Sequence, residues 1–130
     1  RHAATLTALA AADAVVAVGS ADPVGIDRLL IGLEDLERIV PDTPVHVVVT
    51  RVRRSVLGGD PEGQVREALR RHAGITDVTC VPDDRASYDA CLREGRTLAE
   101  VAPRSQARGV LREFARRSIP GRHVQERVPA

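Results

Sequence analysis

Three short apolar runs, separated by longer stretches with helical spacing, constrain the fold of this chain most strongly. The runs occupy residues 14–18, 44–49 and 75–81 and are rich in valine. Uninterrupted apolar strands are typical of a parallel sheet that is covered on both faces. Strands that alternate with helices predict an α/β fold. We therefore expect a three-layer α/β/α arrangement with parallel strands, a Rossmann-like fold.

Local signals predict where several helices begin and end. Aspartate directly followed by proline, at residues 22–23 and 60–61, places a capping carboxylate before a residue that favours the first helical turn. Gly74 and Gly95 are expected to end helices in the left-handed conformation, and Ser105 is expected to cap the last helix. The predicted order is helix, strand, helix, strand, helix, strand, helix, helix.

Composition limits the domain count and the possible functions. The chain has 130 residues, of which 43% are hydrophobic, enough for one domain with its own core. With one Phe, one Tyr and no Trp, it is unsuited to stacking many nucleic-acid bases. Cys80 and Cys91 do not have metal-site spacing and are interpreted as small apolar residues. No apolar stretch is long enough for a transmembrane helix or a signal peptide, so a cytoplasmic protein is expected.

The absence of lysine and methionine has separate consequences. All 19 basic residues are arginine, and a P-loop needs a lysine to reach the terminal phosphates of a nucleotide. The chain therefore contains no P-loop. Because Arg1 is not a methionine, we expect an excerpt from a longer protein. We interpret residues 1–119 as part of one truncated domain and residues 120–130 as a flexible tail.

Polar residues follow the second and third strands. Thr50 and Arg51 come after one strand, and Pro82, Asp83 and Asp84 end the next. Ligands of open parallel sheets bind beyond the carboxyl ends of strands, and a threonine hydroxyl with an arginine plane suits a nucleotide base. The alternative is structural: strands commonly end in polar residues, and capping is the stronger interpretation for Asp84. Arg53 and Arg54 are a candidate phosphate site but are better interpreted as part of a solvated loop. The four histidines are scattered along the chain and have no metal-site spacing.

Residues 13–119 resemble the C-terminal half of MinD/ParA-type P-loop ATPases, especially the MinD-like and CpaE-like proteins of actinobacteria. In that family an Asn-Arg or Thr-Arg pair lines the adenine pocket, which matches Thr50-Arg51. A proline with acidic residues contacts adenine through its backbone, which matches Pro82-Asp83-Asp84. A further signature after the next helix matches Ala90, Gly95, Thr97 and Leu98.

The resemblance implies a nucleotide-dependent switch. ATP and Mg²⁺ would bind the full-length protein, which would form a homodimer and position the septum, a chromosome, a pilus or a flagellum. The P-loop, the switch residues and the Walker B aspartate would lie upstream of Arg1, so this chain is expected to hold no catalytic residue and no metal site. The partner surface, whether protein, DNA or membrane, is not identified. Peripheral membrane association remains an option, although residues 120–128 are a poor match to an amphipathic membrane helix.

Two alternatives remain open. One is a catalytically inactive homologue that keeps the fold and acts as a regulatory scaffold. The other is a receiver-like α/β domain, which needs an acidic cluster after its first strand and a lysine after a later one. The chain has no lysine, so we rank this class last. A sheet with the second strand at its edge would favour it.

Overall fold

The computed structural model describes residues 3–53 and 59–118. Its three strands are β1 (Val15–Ser20), β2 (Val45–Val52) and β3 (Val78–Pro82). Its helices are α1 (Ala3–Ala11), α2 (Pro23–Ile39), α3 (Pro61–Ala73), α4 (Arg85–Glu94), α5 (Leu98–Val101) and α6 (Gln106–Ser118). The predictions for Arg54 and for the tail at 120–130 concern residues outside the described ranges.

The strands form one parallel sheet in the order β1-β2-β3. Val15 pairs with Val45 at the start of the first ladder, and Val47 pairs with Val78 at the start of the second. The prediction of an α/β fold with a parallel sheet is confirmed. Because β2 is the central strand, the order lacks the arrangement that would favour a receiver-like domain.

The aspartates and glycines that were predicted to start and end helices do so in the structure. Asp22 Oδ1 accepts a hydrogen bond from the Gly25 amide at 2.8 Å, and Asp60 Oδ1 accepts one from the Gly63 amide at 2.9 Å. These bonds satisfy amides that have no partner within the first helical turn. Gly74 and Gly95 end α3 and α4 with φ values of 65° and 62°, which a residue without Cβ adopts without strain.

Helices cover both faces of the sheet. On the first face, α2 and α3 pack on the strands through a cluster formed by Leu29, Val47, Val49, Val52, Val65, Leu69, Val78 and Cys80. On the second face, α6 packs on the sheet and Tyr88 of α4 joins the smaller cluster formed by Val48, Val81, Ala107 and Phe114. Alternate residues of β2 serve the two clusters because successive side chains of a strand point to opposite faces. The three-layer arrangement follows from this double covering.

The third strand begins later than its apolar pattern predicts. Residues 75–81 were expected to be extended, but β3 starts at Val78. The Ile75 amide donates to Leu69 O at 3.2 Å and the Gly74 amide to Arg70 O at 3.0 Å. Both residues therefore complete the end of α3, and the Ile75 side chain packs against the first-face cluster.

The short helix α5 was not predicted. It begins with a capping box in which Thr97 Oγ1 accepts from the Glu100 amide and the Glu100 carboxylate accepts from the Thr97 amide. A threonine followed three residues later by glutamate is the sequence signature of this motif, so the signal was present. Within the described residues, no helix combines the length and apolarity needed to cross a membrane.

Candidate functional site

The second strand does not stop at Val49, as the sequence analysis expected. It continues through Val52, and Thr50 lies within the first ladder, opposite Ser20. In the second ladder Val49 pairs with Cys80 and Val52 with Pro82. Three steps along β2 thus face two steps along β3, which is the geometry of a β-bulge.

The bulge gives Arg51 an unusual backbone conformation. Its φ is 58°, and it is the one residue other than glycine with a positive φ in the described part of the chain. This conformation costs a residue with a Cβ roughly 1–2 kcal/mol. The extra residue also reverses the alternation of faces, so Val52 joins the first-face cluster. Arg51 is left exposed beside that face.

Thr50 connects the ends of β1 and β2. Its hydroxyl donates to Gly19 O at 3.3 Å, and its carbonyl accepts from the Ala21 amide at 2.9 Å. The side chain is half-buried. A hydroxyl that donates once still has lone pairs with which to accept. Thr50 can therefore offer a ligand an acceptor while its donor is committed to β1.

Pro82 and Asp83 fix the exit of β3 against the end of β2. The Asp83 amide donates to Val52 O at 3.0 Å. The Asp83 carboxylate accepts from Arg53 Nε at 2.8 Å. The predicted adenine contact through the Asp83 backbone is therefore restricted to its carbonyl, because its amide is already bonded. Arg53, interpreted from sequence as a solvated residue, forms an ion pair.

Asp84 has the structural role that the sequence analysis favoured. Its Oδ1 accepts from the Ser87 amide at 3.4 Å, and its Oδ2 accepts from Ser105 Oγ at 2.6 Å. These bonds, with Ser105 contributing most, lower the pKa of the Asp84 carboxyl from its ordinary value. Ser105 also accepts from the Arg108 amide at 3.3 Å, which confirms it as the cap of α6. The pair joins the starts of α4 and α6.

Asp22 lies in the same cleft as the strained Arg51. Its Oδ2 accepts from Ser20 Oγ at 2.5 Å. That bond and the one from Gly25 lower the pKa of Asp22, and the charge of Arg51 has a smaller effect in the same direction. Asp22 is therefore a carboxylate near neutral pH, held in place by the turn that starts α2.

A cleft of about 360 Å³ opens where β1 and β2 meet the start of α3. Its polar lining comes from Asp22, Arg51, Arg53 and Gln64; its remaining lining residues are Ala21, Pro61 and Val65.

Of the five predicted site residues, only Arg51 lines this cleft. The other four, Thr50, Pro82, Asp83 and Asp84, also lie at the carboxyl end of the sheet but do not line the cleft. Asp22 and Arg53 had been interpreted from sequence as a helix cap and a solvated loop residue, and Gln64 was not singled out. Gln64 had no sequence signal, because its position depends on how α3 packs.

Neither cysteine lines this cleft. Cys80 is buried in the first-face cluster, and burial raises the pKa of its thiol, so it behaves as the small apolar residue predicted from sequence. Within residues 3–53 and 59–118, no three histidine, cysteine or acidic side chains are grouped so that they could bind a metal ion.

Comparison with protein-family models gives no match for this chain, and a search of curated proteins finds no significantly similar sequence.

Proposed function

We propose that this chain is the adenine-side part of a MinD/ParA-type P-loop ATPase that positions cellular machinery through ATP-dependent dimerisation. The observation that supports the proposal most strongly is the junction of the two strand ends. The Asp83 amide bonds to Val52 O directly after the bulge that contains Arg51. The residues on which the base-site resemblance rests therefore lie together at the carboxyl end of a parallel sheet. They are Thr50, Arg51 and Pro82-Asp83-Asp84.

In this proposal each residue offers the base of a nucleotide a different group. Arg51 offers a planar guanidinium that can lie over a base or donate to it. Thr50 offers an acceptor lone pair, and Asp83 offers its backbone carbonyl as an acceptor for an amino group. In this assignment Asp84 holds α4 and α6 in place and acts on the ligand only indirectly. These contacts would orient the base and provide no bond-breaking chemistry.

The same residues do not fit the phosphates or Mg²⁺. The chain has no lysine, and the described residues contain no group of three potential metal ligands. The residues of this chain therefore supply no hydrolytic step. The proposal assigns phosphate binding and hydrolysis to sequence outside these 130 residues.

The alternative is a catalytically inactive scaffold with the same fold. The ion pair between Arg53 and Asp83 favours it, because the pair holds the two strand ends together without a ligand. In this alternative the strand ends are fixed for stability, and the surface around them recognises a protein.

A nucleotide titration of the 130-residue chain tests the base site. A fluorescent adenosine analogue is added, and unlabelled adenosine, guanosine and ATP are used as competitors. We expect weak binding that adenosine displaces better than guanosine does. ATP should displace no better than adenosine, because the phosphates have no partners here. Displacement by guanosine equal to that by adenosine would remove the base-reading assignment.

A second measurement separates the ATPase from the scaffold. The protein is expressed from its complete gene and its mass is measured with and without ATP. ATP-dependent dimerisation supports the ATPase, whereas an unchanged mass together with no ATP hydrolysis supports the scaffold. The matched control is ADP, which a nucleotide-dependent dimerisation switch should distinguish from ATP.

A further inference from the structure

The helix α6 carries a row of arginines on the side that faces away from the sheet. Arg108, Arg112 and Arg116 are spaced four residues apart, which places side chains on one face of a helix. Phe114 of the same helix is buried in the second-face cluster. Because Arg112 is two positions from Phe114, it points in nearly the opposite direction. These three residues, the arginine row, extend about 12 Å along the outer side of α6.

The arginine row has no acidic partner in the part of the chain that the structure describes. The arginines of α3 differ in this respect: Arg70 Nη2, for example, lies 2.7 Å from Glu67 Oε1. Glu113 is the one acidic residue of α6, and it lines a groove at the β3 side of the helix. Arg108 Nη1 donates to the carbonyl of Pro103 at 3.4 Å. The positive charge of the row is therefore not neutralised by these residues.

The arginine row does little to stabilise the helix on which it lies. Like charges four residues apart on a helix repel each other. Arg108 lies in the first turn, where the helix dipole disfavours a positive charge, and that turn contains no acidic residue. Arg116 lies in the last turn, where the dipole favours a positive charge. Helix stability therefore accounts for one of the three arginines.

An extension of the sheet would leave the arginine row accessible. Arg112 and Arg116 are exposed and Arg108 is half-buried. In a three-layer fold, the helices of one layer lie side by side on the sheet. Further strands next to β1 would place their helices beside α6 and not over its outer side. The row is thus a surface feature both of this chain and of a larger domain with the same architecture.

We propose that the arginine row binds an acidic helical segment of another protein, in which carboxylates are spaced four residues apart. Each guanidinium can bind a carboxylate through two parallel hydrogen bonds. Carboxylates with that spacing recur about every 6 Å along a helix, as the arginines do. No residue of α6 lines the cleft beside Arg51. The proposal therefore applies to an ATPase and to an inactive scaffold alike.

A short acidic segment suits the arginine row better than nucleic acid does. DNA is a long polyanion with one charge per about 1.7 Å of its axis, and the domains that bind it are strongly basic. The net charge of this chain is only +1. Two carboxylates also lie close to the row: Glu113 follows Arg112, and Asp84 bonds to Ser105 at the start of α6. They repel an extended polyanion, whereas a short segment can contact the row alone.

Fluorescence anisotropy tests the proposal with a labelled helical peptide that has a glutamate at every fourth position. The protein is expressed from its complete gene and kept free of nucleotide, so the result does not depend on the base site. We expect this peptide to bind more tightly than a peptide of the same composition with scrambled glutamates. Arg108→Gln combined with Arg112→Gln should weaken binding about tenfold, because two charge-assisted contacts are lost. Added salt should weaken it further.

Arg38→Gln combined with Arg71→Gln is the matched control, because it removes the same charge from exposed positions on α2 and α3. It should bind the peptide as the unchanged protein does, and circular dichroism establishes that both variants are folded. No binding, equal binding of the two peptides, or an equal loss in the control overturns the proposal. A DNA duplex or phosphatidylserine vesicles might instead bind more tightly than the peptide and be released by the substitutions at Arg108 and Arg112. That result would assign the row to the other ligand and also overturn the proposal.

Discussion

Ser105 donates its hydroxyl to Asp84, with 2.6 Å between Oγ and Oδ2, and thereby ties the start of α6 to the start of α4. Asp84 also caps α4 through Ser87, and Ser105 caps α6 through Arg108. One contact between two caps thus fixes the helices that follow β3. The position of α6 matters because its buried residues, Ala107 and Phe114, belong to the core on the second face.

This contact predicts a stability that depends on pH. The pKa of folded Asp84 lies below its ordinary value, so its stabilisation is complete above the ordinary value, near pH 4, and is lost as the pH falls toward the lowered one. Ser105→Ala should raise the Asp84 pKa in an NMR titration. It should also reduce the loss of thermal stability between about pH 6 and about pH 3.

Thr7→Ala serves as the control for this experiment. It removes a hydroxyl that donates to the carbonyl of Ala3 and contacts no carboxylate. The acid sensitivity of this variant should equal that of the unchanged chain. An Asp84 pKa that is the same with and without the Ser105 hydroxyl contradicts the assignment.

The ion pair of Arg53 with Asp83 should contribute little to stability. The Arg53 side chain is 63% exposed and that of Asp83 19%, and solvent around the arginine screens the pair, so a double-mutant cycle with Arg53→Ala and Asp83→Ala should give less than about 1 kcal/mol. The coupling should fall further in high salt. Chemical unfolding of the four proteins at low and high salt measures it. A coupling well above this limit would mean that the pair is more buried than the structure has it.

Arg51→Gly separates backbone strain from ligand binding. Glycine adopts a positive φ without the clash that Arg51 experiences, but it loses more entropy on folding. The stability should therefore be unchanged or higher by up to about 1 kcal/mol. Adenosine binding should be lost with the guanidinium. Arg38→Gly, in the last turn of α2, is the control and should lower stability by up to about 1 kcal/mol. If Arg51→Gly binds adenosine normally, Arg51 is not part of the base site.

Leu69 should be among the residues most important for stability. It lies on α3, is fully buried and packs in the first-face cluster. Leu69→Ala should lower the free energy of unfolding by about 2–5 kcal/mol, because it removes buried methyl groups and leaves a cavity. Leu92→Ala, at an exposed position, should change it by less than about 0.5 kcal/mol. Urea unfolding measures both, and equal effects would contradict the assigned core.

Much of the secondary structure was predictable because its signals are local. Asp22 and Asp60 start helices through bonds to amides three residues away, and Gly74 and Gly95 end helices through their own φ values. The end of β2 was not predictable. Thr50 and Arg51 are polar, yet pairing with β1 and β3 extends the strand through Val52. The gain from those ladder bonds outweighs the local preference for a turn.

Some features of the candidate site were likewise predictable from the sequence, and others were not. The sequence by itself determined which strand ends carry polar groups, and it determined the capping role of Asp84, because both depend on neighbours along the chain. Only the tertiary structure decided that Arg51 leaves the ladder in a bulge, that Arg53 pairs with Asp83, and that Ser105 reaches Asp84. These contacts join residues far apart in sequence. They exist because packing of the helices and strands brings those residues together, and no local pattern records that packing.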